Sequence, residues 1–246
     1  MIRNAAMRVA QRGDRFFRWR GADVSRVETL FDGVIALAMT LVIVSLEVPE
    51  RFDDLAESFR RLPAFAACFF ILVMFWYYHF IFHRRYGLEN FPIVALNAVH
   101  VFLVLIYVYP MKFLYTGLFD HRQVVMRADD YPTLMRMFSF GWIGIFAVFV
   151  LMYLYAYRQR EVLRLNAAER WITCQEISAH SLHVFVGIMS VGVTLLDRKL
   201  LPFAGLIYFL IGPLQGLNGW LFGRRLDEKI PSGQEASESS ASEVGD

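Results

Sequence analysis

Six long apolar runs constrain the fold of this chain more strongly than any other feature of the sequence. A helix rises about 1.5 Å per residue, so a run of roughly 20 residues can cross about 30 Å of hydrocarbon. Charged residues are concentrated between the runs, and 57% of the chain is hydrophobic. We therefore predict an all-α, polytopic membrane protein with six transmembrane helices, at about 30–48, 63–82, 93–113, 137–157, 173–196 and 203–222.

The first apolar run carries a stripe of small and aliphatic side chains with a single hydroxyl in the middle. If residues 26–49 form a helix, positions three and four apart share a face. The stripe consists of Gly33, Leu37, Thr40, Leu41, Val44 and Val48. Such a face can pack against copies of itself and leave a narrow, dry passage. The alternative is an ordinary lipid-buried helix in which Thr40 bonds back to its own backbone.

The residues that open this run resemble the first helix of the transmembrane protein 175 family, potassium channels of endolysosomes and bacteria. The family signature is R-x-x-x-F-S-D followed by a similar apolar run. Here Arg26 and Asp32 have the same separation and GVIALAMTL follows, while Leu30 and Phe31 occupy the Phe and Ser positions.

The resemblance continues downstream over roughly the first half of the chain. Trp76 and His79 form a W-x-x-H motif, and Leu96-Asn97 lies in the next apolar run. By resemblance, these positions contribute to a polar network that holds the pore helix in place. The expected support network is Arg26, Asp32, Trp76, His79 and Asn97.

The resemblance also implies a pore around the axis of a homotetramer, lined by the first helix. Leu37 matches the hydrophobic constriction of the family, and Thr40 matches a nearby hydroxyl position. Leu41 and Val44 complete the expected pore and selectivity residues. An apolar neck that an ion passes partly dehydrated favours the weakly hydrated potassium ion over sodium, and it can close by dewetting. The expected partners are potassium ions, the lipid bilayer and further copies of the chain, in a prokaryotic cell membrane.

Charge distribution predicts the topology and the limits of the membrane domain. Most of the 25 lysine and arginine residues fall on the side that carries the N-terminus, so both termini are expected in the cytoplasm. Residues 1–25 are a basic juxtamembrane segment, interpreted either as lying on the anionic inner face or as a floppy tail. Residues 26–224 form the channel domain, and 225–246 are an acidic, serine-rich tail predicted to be disordered. A net charge of +2 does not favour nucleic acid as a partner.

Histidines on two of the apolar runs suggest a rival function. His79 and His83 lie four residues apart on the second run, and Glu176, His180 and His183 follow helical spacing on the fifth. Two such helices could bind zinc and activate a water molecule, as in a membrane-embedded hydrolase. Further ligands of that kind are scarce in the other runs. The sequence therefore favours a polar helix–helix seam, and we expect no enzyme activity, cofactor or metal site.

A third possibility is a membrane protein of the same fold that does not conduct ions. The feature that favours it is Phe31, because a bulky ring near the inner mouth could either block the passage or pack outward. The sequence does not distinguish these orientations.

Overall fold

The computed structural model describes residues 17–21, 23–44, 51–52, 58–119, 127–196 and 200–229, without the side chains at 44, 128 and 225–229. Within these residues the regular structure is entirely helical, as predicted from the apolar runs. The α-helices are α1 (Arg26–Val44), α2 (Leu62–Tyr86), α3 (Phe91–Phe119), α4 (Tyr131–Arg158), α5 (Ala167–Leu195), α6 (Leu201–Leu206) and α7 (Ile211–Lys229).

Five membrane-spanning candidates are present in the described part of the chain. They are α2, α3, α4, α5 and the continuous stretch Leu201–Arg224, each long and apolar enough to cross a bilayer. Helix α1, the first of the six expected spans, is not among the five. Helices α2 to α5 are longer than the predicted runs, because helical geometry continues through polar ends that a hydropathy pattern omits.

The last predicted span is interrupted rather than uniform. Helix α6 ends at Leu206, a 3₁₀ turn follows over Ile207–Leu210, and α7 begins at Ile211. Helix α7 continues to Lys229, so it includes residues 225–229 at the start of the segment 225–246 predicted to be a disordered tail. Residues 230–246 of that tail lie outside the described part.

Helix α1 packs against α2 and α3, while α4 and α5 form the most extensive helix pair of the bundle. The larger hydrophobic cluster joins these elements through buried residues such as Phe31, Phe75 and Phe146. A second cluster lies where α2 and α4 end and α3 and α5 begin, and it includes Phe82 and Tyr153. The bundle therefore holds α1 along one side of an aromatic core.

Residues 17–21, part of the predicted basic segment, contact the end of α2. The backbone N–H groups of Arg20 and Gly21 both donate to the carbonyl of Arg84, at 3.0 and 3.1 Å. Gly87 ends α2 with a φ of +59°, and a Cβ there would lie 3.0 Å from the backbone of Gly21. The segment is thus part of the folded body at these residues, which neither sequence interpretation anticipated. Residues 1–16 lie outside the described part.

Candidate functional site

Helix α1 presents two contrasting faces in the protomer. Phe31, Ile35, Ala38 and Val42 are at most 3% exposed and pack into the core. On the opposite side, Leu37 is 52% exposed and Leu41 is 43% exposed. Gly33 lies on the same stripe, and a Cβ added there would meet nothing within 4 Å. The described part of the predicted stripe therefore lies within the side of α1 that the protomer leaves uncovered.

The remaining predicted pore residues differ in what the structure describes. Thr40 is exposed, and its hydroxyl donates to the carbonyl oxygen of Ala36 at 2.8 Å. This backbone bond is the one expected of a threonine on an apolar helix. The side chain of Val44 and all of Val48 lie outside the described residues.

Asp32 is tied to α2 by one hydrogen bond. The indole Nε1 of Trp76 donates to Asp32 Oδ1 at 2.8 Å. Trp76 itself is 36% exposed, so the bond lies at the edge of the protomer. This bond between two members of the expected network joins the first turns of α1 to the middle of α2.

His79 and Asn97 form a second, separate pair. His79 Nε2 lies 2.6 Å from Asn97 Oδ1, and both residues are buried. Asn97 Nδ2 donates to the carbonyl of Ile93 at 2.8 Å, which orients the amide oxygen towards the imidazole. Nε2 is therefore the nitrogen that carries hydrogen. This pair joins α2 to α3.

The five expected support residues thus do not form one network within the described protomer. Asp32 and Trp76 make one pair, and His79 and Asn97 make the other. The side chain of Arg26 is exposed and makes no hydrogen bond or ion pair with the described residues.

Phe31 provides the link between α1 and the second pair. Its ring stacks on the imidazole of His79, with centroids 3.8 Å apart and planes within 7°. The side chain is fully buried, and His100 also lies close, at 4.9 Å between centroids. Consecutive residues of a helix point about 100° apart, so the side of the bundle that residue 31 faces depends on how α1 is rotated against its neighbours. The ring faces the protomer core and not the uncovered face.

The two histidine groups are packed against aromatic rings. His183 stacks on Phe146 at 3.8 Å, and His180 stacks on Phe149 at 5.0 Å. The Glu176 carboxylate is held by Arg85, whose Nη1 donates to Oε1 at 2.6 Å. Across the described residues, no group of three or more His, Cys, Asp and Glu side chains is arranged to hold a metal ion.

An ion pair between residues 17–21 and α5 was missed by the sequence reasoning. Glu169, in the first turn of α5, is 1% exposed and pairs with Arg20 at 2.7 Å. A usable signal was present, because Asn166 and Glu169 have the N-x-x-E spacing of a capping box before an apolar run. Both reciprocal capping bonds are formed.

These features define a membrane-spanning helical bundle whose first helix exposes an apolar stripe and is braced by polar side chains of the next two helices. Comparison with known proteins identifies its family. Residues 26–110 match the family model described as the endosomal/lysosomal potassium channel TMEM175. The chain belongs to the TMEM175 family of potassium channels.

Two relatives extend the match over nearly the whole chain. A potassium channel of Marivirga tractuosa is 36% identical over 230 residues, which cover 87% of this chain and 92% of the relative. The crystal structure of a variant of the potassium channel MtTMEM175, in complex with a nanobody–MBP fusion protein, matches with a TM-score of 0.75 and 34% identity. That match covers 88% of this chain and 99% of the other. The family predicted from the sequence is confirmed.

Proposed function

We propose that this protein is a passive, potassium-selective channel in which α1 lines a narrow apolar pathway at the axis of a homotetramer. The observation that carries the proposal is the uncovered face of α1, with Leu37 and Leu41 exposed in a chain whose relatives are potassium channels. An apolar stripe of this kind requires a partner or lipid. Four symmetric copies of one helix around an axis would give each stripe the same surroundings.

In the proposed topology, α1 also crosses the membrane, which brings the number of spans to six. Its 19 residues would extend about 28 Å as an ideal helix, close to the thickness of the hydrocarbon layer. Together with the five other candidates, it makes an even number of crossings and brings both termini to one side. The excess of basic residues on that side supports a cytoplasmic location for both termini. We place the channel in a prokaryotic plasma membrane.

Selectivity would arise at the neck formed by Leu37, Thr40, Leu41 and Val44. The Thr40 hydroxyl is already used by the Ala36 carbonyl, so the neck offers little to replace the water around an ion. Potassium gives up hydration water more readily than sodium, and such a filter therefore favours it while other monovalent cations leak through. This route requires no catalytic cycle and no cofactor.

The two polar pairs and the Phe31 stack would support the neck by fixing the rotation of α1. Asp32 meets α2 at Trp76, while Phe31, the preceding residue, meets α2 at His79. Two contacts on neighbouring residues restrain both the position and the rotation of the helix. Arg26, exposed on the protomer, would complete the support at a neighbouring subunit.

The burial of Phe31 bears on the alternative of a non-conducting relative. A ring stacked on His79 inside the protomer is directed away from the proposed pathway, so it supplies no obstruction there. The aromatic packing of His180 and His183 likewise gives no support to a zinc hydrolase.

Ion flux from potassium-loaded liposomes tests this proposal. Wild-type protein is expected to pass potassium in preference to sodium, and Leu37→Ala is expected to raise the flux and reduce the preference. Ile43→Ala is the matched control, because Ile43 is 48% exposed but lies about 120° around the helix from Leu37. Absence of wild-type potassium flux from folded tetramers would refute channel function. Equal effects of both substitutions would remove Leu37 from the pathway.

A further inference from the structure

Residues 17–21 form a segment, which we call the N-terminal strap, that connects the start of α1 to α5. Its most buried member, Phe17, is 2% exposed and lies in the second hydrophobic cluster. The Phe17 ring meets Tyr86 edge-on at 5.4 Å between centroids. The guanidinium groups of Arg20 and Arg85 lie over the ring at 5.6 and 5.3 Å. Such burial holds one end of the strap in the bundle.

The strap approaches α2 so closely that two glycines are required. A Cβ on Gly21 would lie 2.5 Å from the carbonyl oxygen of His83, a distance that side chains do not tolerate. Gly87 has left-handed backbone geometry and faces Arg20 and Gly21 at about 3 Å. Arg84 Nη1 also donates to the Gly21 carbonyl, at 3.1 Å. The strap is therefore held by backbone contacts in addition to side chains.

Arg20 joins the strap to α5 through a two-pronged ion pair. Its Nη1 and Nη2 donate to Glu169 Oε1 and Oε2 at 2.9 and 2.7 Å. Its Nε donates to the carbonyl of Leu163 at 2.9 Å. Planar, charge-assisted pairs of this kind are stronger and more directional than neutral hydrogen bonds. Arg20 thus fixes the strap to both the α4–α5 connection and α5.

The Glu169 carboxylate is the point where these contacts converge. Besides Arg20, it accepts from the backbone N–H of Arg18 and of Asn166, both at 3.0 Å. A buried carboxylate that accepts four hydrogen bonds is well satisfied. If its charged partner is removed, the carboxylate remains buried without a compensating positive charge, which is strongly destabilising.

The other end of the strap reaches the pore helix after four residues. Helix α1 begins with a capping box in which Ser25 N donates to Glu28 Oε2 at 2.8 Å and Glu28 N donates to Ser25 Oγ at 3.1 Å. Arg20 is therefore six residues from the first residue of α1. A separation this short limits how far the first turn of α1 can lie from Arg20.

We propose that Arg20 and Glu169 are positioning residues for the pore helix, coupling the second half of the chain to the conduction pathway through the N-terminal strap. This inference rests on the proposed channel function and extends it with a means of regulation. Release of the pair detaches Arg20 from α5 while the contacts of the strap with α2 remain, so the inner end of α1 is held less firmly and the apolar neck loses support against collapse. The fraction of time that the channel is open falls, while the conductance of an open channel stays unchanged because the neck residues are untouched.

Single-channel recordings of Arg20→Gln, Glu169→Gln and the double variant in lipid bilayers test the coupling. Each single variant is expected to lower the open-to-closed ratio at least about 5-fold, the lower end of typical coupling between sites. The double variant is expected to be no worse than either single one. Glu176→Gln is the matched control, since it breaks a second ion pair between α2 and α5 at a residue that does not bond to the strap, while its partner Arg85, which lies over the Phe17 ring, is unchanged. Its open-to-closed ratio is expected to match wild type.

A second measurement is independent of conduction. Amide hydrogen exchange in residues 26–30 is expected to be faster in Glu169→Gln than in Glu176→Gln, with equal melting temperatures excluding general destabilisation. Wild-type channels that conduct, with unchanged open-to-closed ratio in both single variants, would overturn the strap proposal alone. Unchanged amide exchange at 26–30 would overturn the strap proposal whether or not the wild-type protein conducts. Absence of current through the wild-type protein would separately refute channel function.

Discussion

The two faces of α1 are made of similar apolar residues but have opposite surroundings. Ile35 and Val42 are almost fully buried against α2 and α3, whereas Leu37 and Leu41 are about half exposed. Leu41 and Val42 are neighbours in sequence and differ mainly in the direction they take from the helix. The contrast teaches that hydropathy identifies an apolar helix, while packing decides which side stabilises the protomer and which is left for another role.

The largest expected effect is on stability, at the core face. Ile35→Ala removes a side chain that is 3% exposed and leaves a cavity, so we expect the free energy of unfolding to fall by about 2–4 kcal/mol. Leu37→Ala is the control on the other face, with a change within about 0.5 kcal/mol. Reversible unfolding in mixed micelles measures both. Similar losses in the two variants would mean that the faces are not energetically distinct.

The next largest effect on stability is expected at the buried polar pair His79 and Asn97, which lies behind the core face of α1. Asn97→Ala leaves the His79 Nε2–H without its acceptor and is expected to lower the free energy of unfolding by about 1–2 kcal/mol. Asn90→Ala is a suitable control, because Asn90 bonds to Tyr155 at an exposed site. The same unfolding measurement applies. A cost for Asn97→Ala no greater than that for Asn90→Ala would show that the pair does not brace α3 against α2.

The adjacent pair Leu41 and Val42 separates conduction from stability most cleanly. Leu41→Ala is expected to increase potassium flux and weaken its preference over sodium, with no change in unfolding. Val42→Ala is expected to cost about 1–2 kcal/mol of stability and to leave the flux ratio of the surviving tetramers unchanged. Flux assays normalised to folded tetramer check both. An altered flux ratio in Val42→Ala alone would reverse the assignment of the faces.

The smallest expected effect is at Thr40. Its hydroxyl is bound to the Ala36 carbonyl, so Thr40→Val is expected to change stability by less than about 0.5 kcal/mol. The ratio of potassium to sodium flux is expected to shift less than in Leu41→Ala. A larger shift would mean that the hydroxyl leaves its backbone partner to contact the ion.

Sequence reasoning anticipated those features that follow from local periodicity. The uncovered stripe through Gly33, Leu37 and Leu41 was predicted from helical spacing, and the family was recognised from Arg26, Asp32 and the downstream motif. The pairs Asp32–Trp76 and His79–Asn97 were expected only as members of one network. Their division into two depends on the angle between helices, which a single sequence does not contain.

Features that depend on distant contacts could not be predicted. The direction of the Phe31 ring is decided by His79, which lies 48 residues away, and the docking of Phe17 is decided by aromatic residues of α2 and α4. The break between α6 and α7 has a simpler cause, since Gly205 and Gly212 flank it and glycine weakens helices. A hydropathy pattern does not show this break, because the residues around it are mostly apolar.

The central claim is that the stripe of α1 through Leu37 and Leu41, and not the whole exposed side of the helix, lines the conduction pathway; cysteine modification tests it most directly. Leu37→Cys and Ile43→Cys would be placed singly in a background in which Cys68 and Cys174 are replaced by alanine. A membrane-impermeant, positively charged thiol reagent would then be applied during potassium current recording. We predict that current through Leu37→Cys channels is blocked and that current through Ile43→Cys channels is not. Block at Ile43→Cys with no effect at Leu37→Cys would contradict the account.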